Sequence, residues 1–189
     1  MTDTTIDPNR TPLRWSVIIA GSLASWAVSF IFISLGTGVG LAVTSPYAGA
    51  TATTMTIGGA IWLIIAQSFS YATGGYLAGR LRIRDHIPGP ETTFRDAAHG
   101  FMVWVLGVGS MAVVVAITTA LTTKAGATPE QALSDAARTA AAYLSFWSFM
   151  ALLFGAVAAT LAGMLGGELR DEEPEVNRSG RRKTAAQAQ

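Results

Sequence analysis

Four long apolar segments without a single charged residue most constrain how this chain can fold. They cover residues 15–43, 57–79, 97–123 and 139–167. A helix needs about 20 apolar residues to cross the hydrocarbon core of a bilayer, and each segment exceeds that length. Barrel strands would instead alternate in hydrophobicity over about ten residues. The sequence therefore predicts an all-α, polytopic membrane protein with four transmembrane helices.

The composition supports a membrane protein and narrows its chemistry. Half of the residues (50%) are hydrophobic and 13% are charged, whereas about 25% of the residues in a soluble domain are charged. The chain has no cysteine, which excludes a thiol nucleophile and a thiolate metal site. A net charge of +1 gives no electrostatic attraction to nucleic acid. The expected partners are the bilayer and other membrane protein subunits or a second copy of the chain.

The basic residues predict an orientation, because Lys and Arg favour cytoplasmic loops. All of them except Lys124 and Arg138 lie in the N-terminal segment, the loop between the second and third spans, and the C-terminal tail. We therefore predict that both termini lie in the cytoplasm, at a bacterial inner membrane. The arginines expected to fix this topology or touch lipid headgroups are Arg14, Arg80, Arg82, Arg84 and Arg95.

The chain divides into three parts on this basis. Residues 1–14 form a cytoplasmic N-terminal segment and residues 15–167 form the four-helix transmembrane domain. Residues 168–189 are acidic and then basic, with little apolar surface to bury. We predict that this tail is disordered and cytoplasmic.

Small residues recur at helical spacing in three of the predicted spans. Such stripes let two helix backbones approach closely inside a membrane. They predict close packing among the four helices of one chain, with an interface to another subunit as the alternative. The residues are Gly36, Gly40, Ser70, Gly74, Gly75, Gly79, Gly155, Ala159, Gly163 and Gly167.

A weak internal repeat links the second and fourth spans. Both contain the pattern Leu-Ala-Gly-x-Leu, at residues 77–81 and 161–165. A true repeat would make two helical hairpins of the same orientation, related by an axis normal to the membrane. Chance similarity between apolar sequences is the alternative.

Polar residues within the spans are few. An ionisable residue inside a span usually marks a functional site, but these segments contain no formal charge. Gln67 lies deep in the second span and His99 lies near the start of the third. They form a possible polar site, with a simple hydrogen-bonding role as the alternative for each. We see no general base, nucleophile or metal-ligand set, and we expect no catalytic residue, cofactor or metal.

Several short motifs stand at the ends of the predicted spans. They are Arg14-Trp15-Ser16, Gly59-Ala60-Ile61-Trp62, Gly74-Gly75-Tyr76-Leu77-Ala78-Gly79-Arg80-Leu81, and His99-Gly100 before Trp104. With these motifs, residues 14–167 resemble a bacterial family of small four-helix membrane proteins sometimes labelled PhnA-like. The resemblance implies the four-span fold and a cytoplasmic-membrane location, and it implies no reaction.

Together these features predict a non-enzymatic protein that acts by helix–helix association. It would be an accessory or scaffold subunit of a larger membrane complex, or a homo-oligomer. The alternative is a small oligomeric channel or transporter. Its path would have to run between subunits, because four uncharged spans make a poor pore alone.

Overall fold

The computed structural model of the chain describes residues 13–43, 52–83, 90–124 and 135–187. Within this part the chain forms four helices. They are α1 (Trp15–Val43), α2 (Ala52–Leu81), α3 (Pro90–Lys124) and α4 (Asp135–Gln187). The predicted all-α class is confirmed, and each predicted span lies inside one of these helices.

Three of the four helices are long and apolar enough to cross a membrane. The qualifying segments are Trp15–Ala42 in α1, Pro90–Leu121 in α3 and Ala142–Glu172 in α4. Helix α2 is not among them, since glycine, hydroxyl and amide residues such as Gln67 interrupt its apolar run. Three apolar helices indicate a membrane protein, whereas the crossing of the membrane by α2 stays a prediction.

Helix α4 continues from the apolar span through Gln187, beyond the residue at which the sequence predicts the tail to begin. Disorder of residues 168–189 when the tail has no partner stays a prediction. Extending an existing helix adds one hydrogen bond for each residue that is fixed, and this is far easier than starting a new helix. The buried side chain of Arg170 also fixes the first turn beyond residue 167.

The helices run up, down, up and down. Arg14 and Ser22 of α1 contact His99 and Val103 of α3 in the same order, so these two helices are parallel. Helices α2 and α4 are also parallel to each other, because Gly75 lies against Ala159 and Gly79 against Gly163, again in the same order. Helix α2 contacts all three others, whereas α1 and α4 do not contact each other within the described residues.

The closest helix contact lies between the two copies of the predicted repeat. Gly79 of α2 packs directly on the carbonyl of Gly163 in α4, and both are the glycine of a Leu-Ala-Gly motif. One turn away, Gly75 packs on the carbonyl of Ala159. Because neither glycine has a side chain, the two backbones approach closely enough for dispersion and Cα–H contacts to hold them.

The remaining small-residue contacts join α3 and α1 to this pair. Gly163 also faces the backbone of Asp96 and Gly100 in α3. Gly74 faces Gly21 and Ser25 in α1. Most of the predicted stripe residues therefore pack inside one chain. This is the close packing among the four helices that the sequence predicted, as opposed to an interface with another subunit.

Most of the tight packing among the described residues lies at one end of the bundle, which we call the closed end; an exception is Trp62 of α2, which packs on Gly36 and Phe32 of α1. The closed end contains the N-terminal halves of α1 and α3, the C-terminal half of α2 and residues 151–172 of α4. The buried apolar cluster of Val17, Ile18, Ala78 and Val103 lies here. At the other end, the open end, every side chain of α3 from Met111 to Leu121 is exposed.

The close approach of α4 to α3 yields a first prediction. In Gly163→Ala the new Cβ would lie 2.7 Å from the carbonyl oxygen of Asp96 and 3.0 Å from the Cα of Gly100. We expect this overpacking to lower the free energy of unfolding by about 1–3 kcal/mol. Unfolding in detergent with increasing dodecyl sulfate, followed by circular dichroism, measures the change.

The matched control is Gly38→Ala, since no described atom outside its own helix lies within 4 Å of a Cβ at Gly38. This variant should keep or raise stability, by at most about 1 kcal/mol, because alanine favours helix. Equal effects of the two substitutions would contradict the packing described above.

Candidate functional site: a buried charge cluster

The closed end holds a buried cluster of charged side chains, here called the charge cluster, formed by Arg82, Asp96 and Arg170. Arg82 Nε donates to Asp96 Oδ1 at 2.6 Å. Arg170 approaches the same carboxylate with both terminal nitrogens, at 3.3 Å for Nη1 to Oδ1 and 3.1 Å for Nη2 to Oδ2. The exposed fractions of the three residues are 4%, 2% and 8%. One carboxylate is thus shared by two guanidinium groups.

The three residues come from three helix regions that the sequence separates widely. Arg82 directly follows the end of α2, Asp96 lies in the second turn of α3, and Arg170 lies three residues beyond the fourth apolar segment. Gly167 makes room for the carboxylate, because a Cβ there would overlap Asp96 Oδ2. The glycine stripe on α4 therefore brings the helices together and also creates the space that Asp96 fills.

Arg170 also caps the end of α2. Its Nη1 donates to the carbonyl of Gly79 at 2.9 Å and lies 3.4 Å from the carbonyl of Arg82. The last four carbonyls of a helix have no partner within that helix. A cation at this end also interacts favourably with the helix dipole. One side chain of α4 thereby satisfies the C-terminus of α2 and the carboxylate of α3.

The cluster is electrically balanced by a neighbouring carboxylate. Asp171 accepts hydrogen bonds from Arg170 Nε at 3.0 Å and from Nη2 at 3.1 Å. The three residues of the cluster carry a net charge of +1, and the adjacent Asp171 brings the sum to zero. Balance is needed because burying an ion away from water costs several kcal/mol unless its partners compensate.

His99 connects α1 to α3 beside the cluster. Its Nδ1 lies 2.7 Å from the carbonyl of Arg95, and Nε2 lies 3.1 Å from the backbone nitrogen of Arg14. A carbonyl only accepts, so Nδ1 carries the proton and Nε2 accepts the Arg14 N–H. The fully buried ring therefore joins the start of α1 to α3 through both of its nitrogens.

The other predicted polar and topology residues are placed as follows. Gln67 is half-buried on α2, and Arg14 is exposed. Arg95 is partly exposed and pairs with Glu91 at 2.9 Å. Arg80 is half-buried in the last turn of α2, and Arg84 lies outside the described residues.

Arg82 shows the largest difference from its predicted role. The sequence groups it with the arginines that touch lipid headgroups, whereas its side chain is buried against Asp96. Sequence reasoning missed Asp96 and Arg170 as a pair because each lies just outside an apolar segment. The sequence signal that could have found them is their short distance from a span. Asp96 directly precedes the third span and Arg170 follows the fourth by three residues, at the same end of the bundle as Arg82.

The carboxylate of the cluster and the ring of the neighbouring His99 are both engaged in contacts within the protein. The Asp96 carboxylate is occupied by two guanidinium groups, and both ring nitrogens of His99 are engaged. In the part of the chain that the structure describes, no group of three or more His, Cys, Asp or Glu side chains is arranged to hold a metal ion. This geometry suits a clamp that fixes the relative positions of α2, α3 and α4.

Comparison of the chain with protein-family models, curated proteins and solved structures gives no match. The resemblance described under Sequence analysis therefore stays an expectation. The function has to be argued from the geometry of the chain itself.

The shared carboxylate gives a second prediction. Asp96→Asn keeps the shape of the side chain but removes the negative charge that the buried Arg82 and Arg170 share. We expect a loss of about 3–5 kcal/mol in the free energy of unfolding, the usual cost of removing one member of a buried ion pair. Asp171→Asn is the control, since Asp171 is partly exposed and should cost about 1 kcal/mol or less. Equal losses would show that Asp96 is not the centre of the cluster.

His99 gives a third prediction. His99→Leu keeps much of the buried volume but removes the acceptor for the Arg14 N–H. Since this hydrogen bond joins the residue before α1 to α3, its loss should let the start of α1 detach more often from α3. Hydrogen exchange of peptides covering residues 14–18 should become faster, while peptides of α4 around Ala159 keep their protection. Unchanged exchange at residues 14–18 would contradict this role.

Proposed function

We propose that the protein is a non-enzymatic integral membrane protein that acts by helix–helix association. It works as an accessory or scaffold subunit of a larger membrane complex or as a homo-oligomer. Its place is a bacterial cytoplasmic membrane, with four spans and both termini in the cytoplasm. The distribution of arginines and the apolar exposed faces of the helices support this proposal.

One observation carries the proposal: within the described residues, a glycine near the open end of α1 has no helix packed against it. Apart from its own helix, no described atom lies within 4 Å of a Cβ built at Gly38. Gly36, two residues earlier, is already covered by Trp62. A glycine on an apolar exposed helix leaves a shallow groove, and association of helices in membranes uses such grooves. The outer part of α1 is therefore the face that we assign to a partner helix.

The hydroxyl groups near the open end favour association over a pore. Ser34 and Thr37 of α1 donate to the carbonyls of Phe30 and Ile33 in their own helix. Thr118 of α3 donates to Val114 in the same way. These groups are satisfied locally, so they do not present the free polar lining that a solute path requires. A channel formed between subunits is the alternative function.

The proposal predicts that Gly38→Leu disrupts assembly. No described atom outside its own helix lies within 4 Å of a Cβ at Gly38, so the fold should survive, while the groove for a partner helix is filled. We expect the assembled form to fall mostly to single protomers. The measurement is the mass of the intact complex after gentle extraction from the native membrane. Gly109→Leu is the control, because Gly109 also has nothing within 4 Å but lies on α3.

The mass of the intact complex distinguishes an accessory subunit from a homo-oligomer. A stoichiometric foreign subunit makes the protein an accessory subunit. A complex of identical copies makes it a homo-oligomer, and solute flux into liposomes then tests the channel alternative. A wild-type protein that is a single protomer in its native membrane would overturn the proposal.

A further inference from the structure

A second apolar surface lies on α3, away from the outer part of α1. It is a groove with a volume of about 370 Å³. We call it the α3 groove. Its lining consists of Trp15, Met102, Val105, Leu106, Gly109, Ser110 and Val113.

The α3 groove is apolar along its length. Its one hydroxyl, on Ser110, donates back to its own helix, 2.7 Å from the Leu106 carbonyl and 3.0 Å from the Gly107 carbonyl. Gly109 forms the floor, with nothing within 4 Å of a Cβ at that position. The lining therefore presents no charged side chain and no free hydroxyl group to a polar ligand.

The length of the groove matches one leaflet. Met102 and Val113 are eleven residues apart on α3, so the groove runs for about 16 Å along the helix. The hydrocarbon core of a bilayer is about 30 Å thick, so one leaflet is about 15 Å deep. Trp15, whose ring suits the interface between headgroups and acyl chains, lies at the closed end of the groove. An acyl chain has the chemistry and the length to fill it.

Two arginines stand at the closed end of this groove. Arg14 directly precedes Trp15 and is exposed. Arg95 lies two turns before Met102 on the same face of α3, and its side chain is 38% exposed. His99 holds the two together, because it binds the backbone of both. Glu91 pairs with Arg95 but is itself exposed, and such a surface pair is weak enough for a phosphate to compete.

We propose that the α3 groove binds one acyl chain of an anionic phospholipid from the surrounding bilayer, with its phosphate at Arg14 and Arg95. The site is separate from the association face on α1, so either can exist without the other. It lies in the leaflet that contains the N-terminal ends of α1 and α3.

The test is native mass spectrometry of the purified full chain with two defined lipids. Dioleoyl phosphatidylglycerol and dioleoyl phosphatidylcholine share the same acyl chains and differ in headgroup charge. We expect one phosphatidylglycerol per protomer, bound about fivefold more tightly than phosphatidylcholine. Arg14→Gln should remove most of this preference. The substitution leaves the contact with His99 intact, because Arg14 makes it through its backbone.

A second variant separates the groove from general attraction to anionic lipid. Gly109→Leu fills the floor of the groove and should abolish the single tightly bound lipid. Gly59→Leu, at another open glycine on α2, should bind as the wild type does. Equal binding of the two lipids by the wild type, or retention of the bound lipid in Gly109→Leu, would overturn the proposal.

Discussion

The rest of the structure depends on one shared carboxylate. Asp96 of α3 neutralises Arg82 at the end of α2 and Arg170 of α4, and all three are buried. Apolar helices in a bilayer gain little by hiding from lipid, so packing and polar contacts must fix their arrangement. The charge cluster supplies a polar contact that joins three helices, and the glycines of α2 and α4 allow the backbones to come close enough to form it.

This arrangement explains why the two ends of the bundle differ. The closed end has glycine contacts, the charge cluster and the His99 link from α1 to α3. Toward the open end, α1 and α2 stay in contact through Phe32 and Trp62, whereas every residue of α3 from Met111 to Leu121 is exposed. A bundle that is packed at one end and leaves apolar helix faces exposed at the other suits the association with partner helices that we propose.

Much of the fold follows from the sequence, and the charge cluster does not. Charge-free runs longer than 20 residues predict helices, and the small-residue spacing at Gly75 and Gly163 predicts their close contacts. The extent of α4 was not predictable from composition, because the helix extends past residue 167 from an apolar span that already exists. The cluster was missed because Arg82, Asp96 and Arg170 meet only after the helices pack. Their sequence positions next to span ends resemble an ordinary topology signal.

We infer that the charge cluster and the glycine contacts fix the closed end, whereas the open end, where α3 is exposed from Met111 to Leu121, adopts one arrangement only when a partner helix packs on it. Pairs of spin labels measure this directly, and the absence of cysteine makes labelling specific. Labels at exposed positions Phe94 and Leu169 report on the closed end, and labels at Leu121 and Leu144 report on the open end. We predict one narrow closed-end distance before and after assembly, and a broad open-end distribution that narrows on assembly. Equally narrow open-end and closed-end distances in the single protomer would contradict the account.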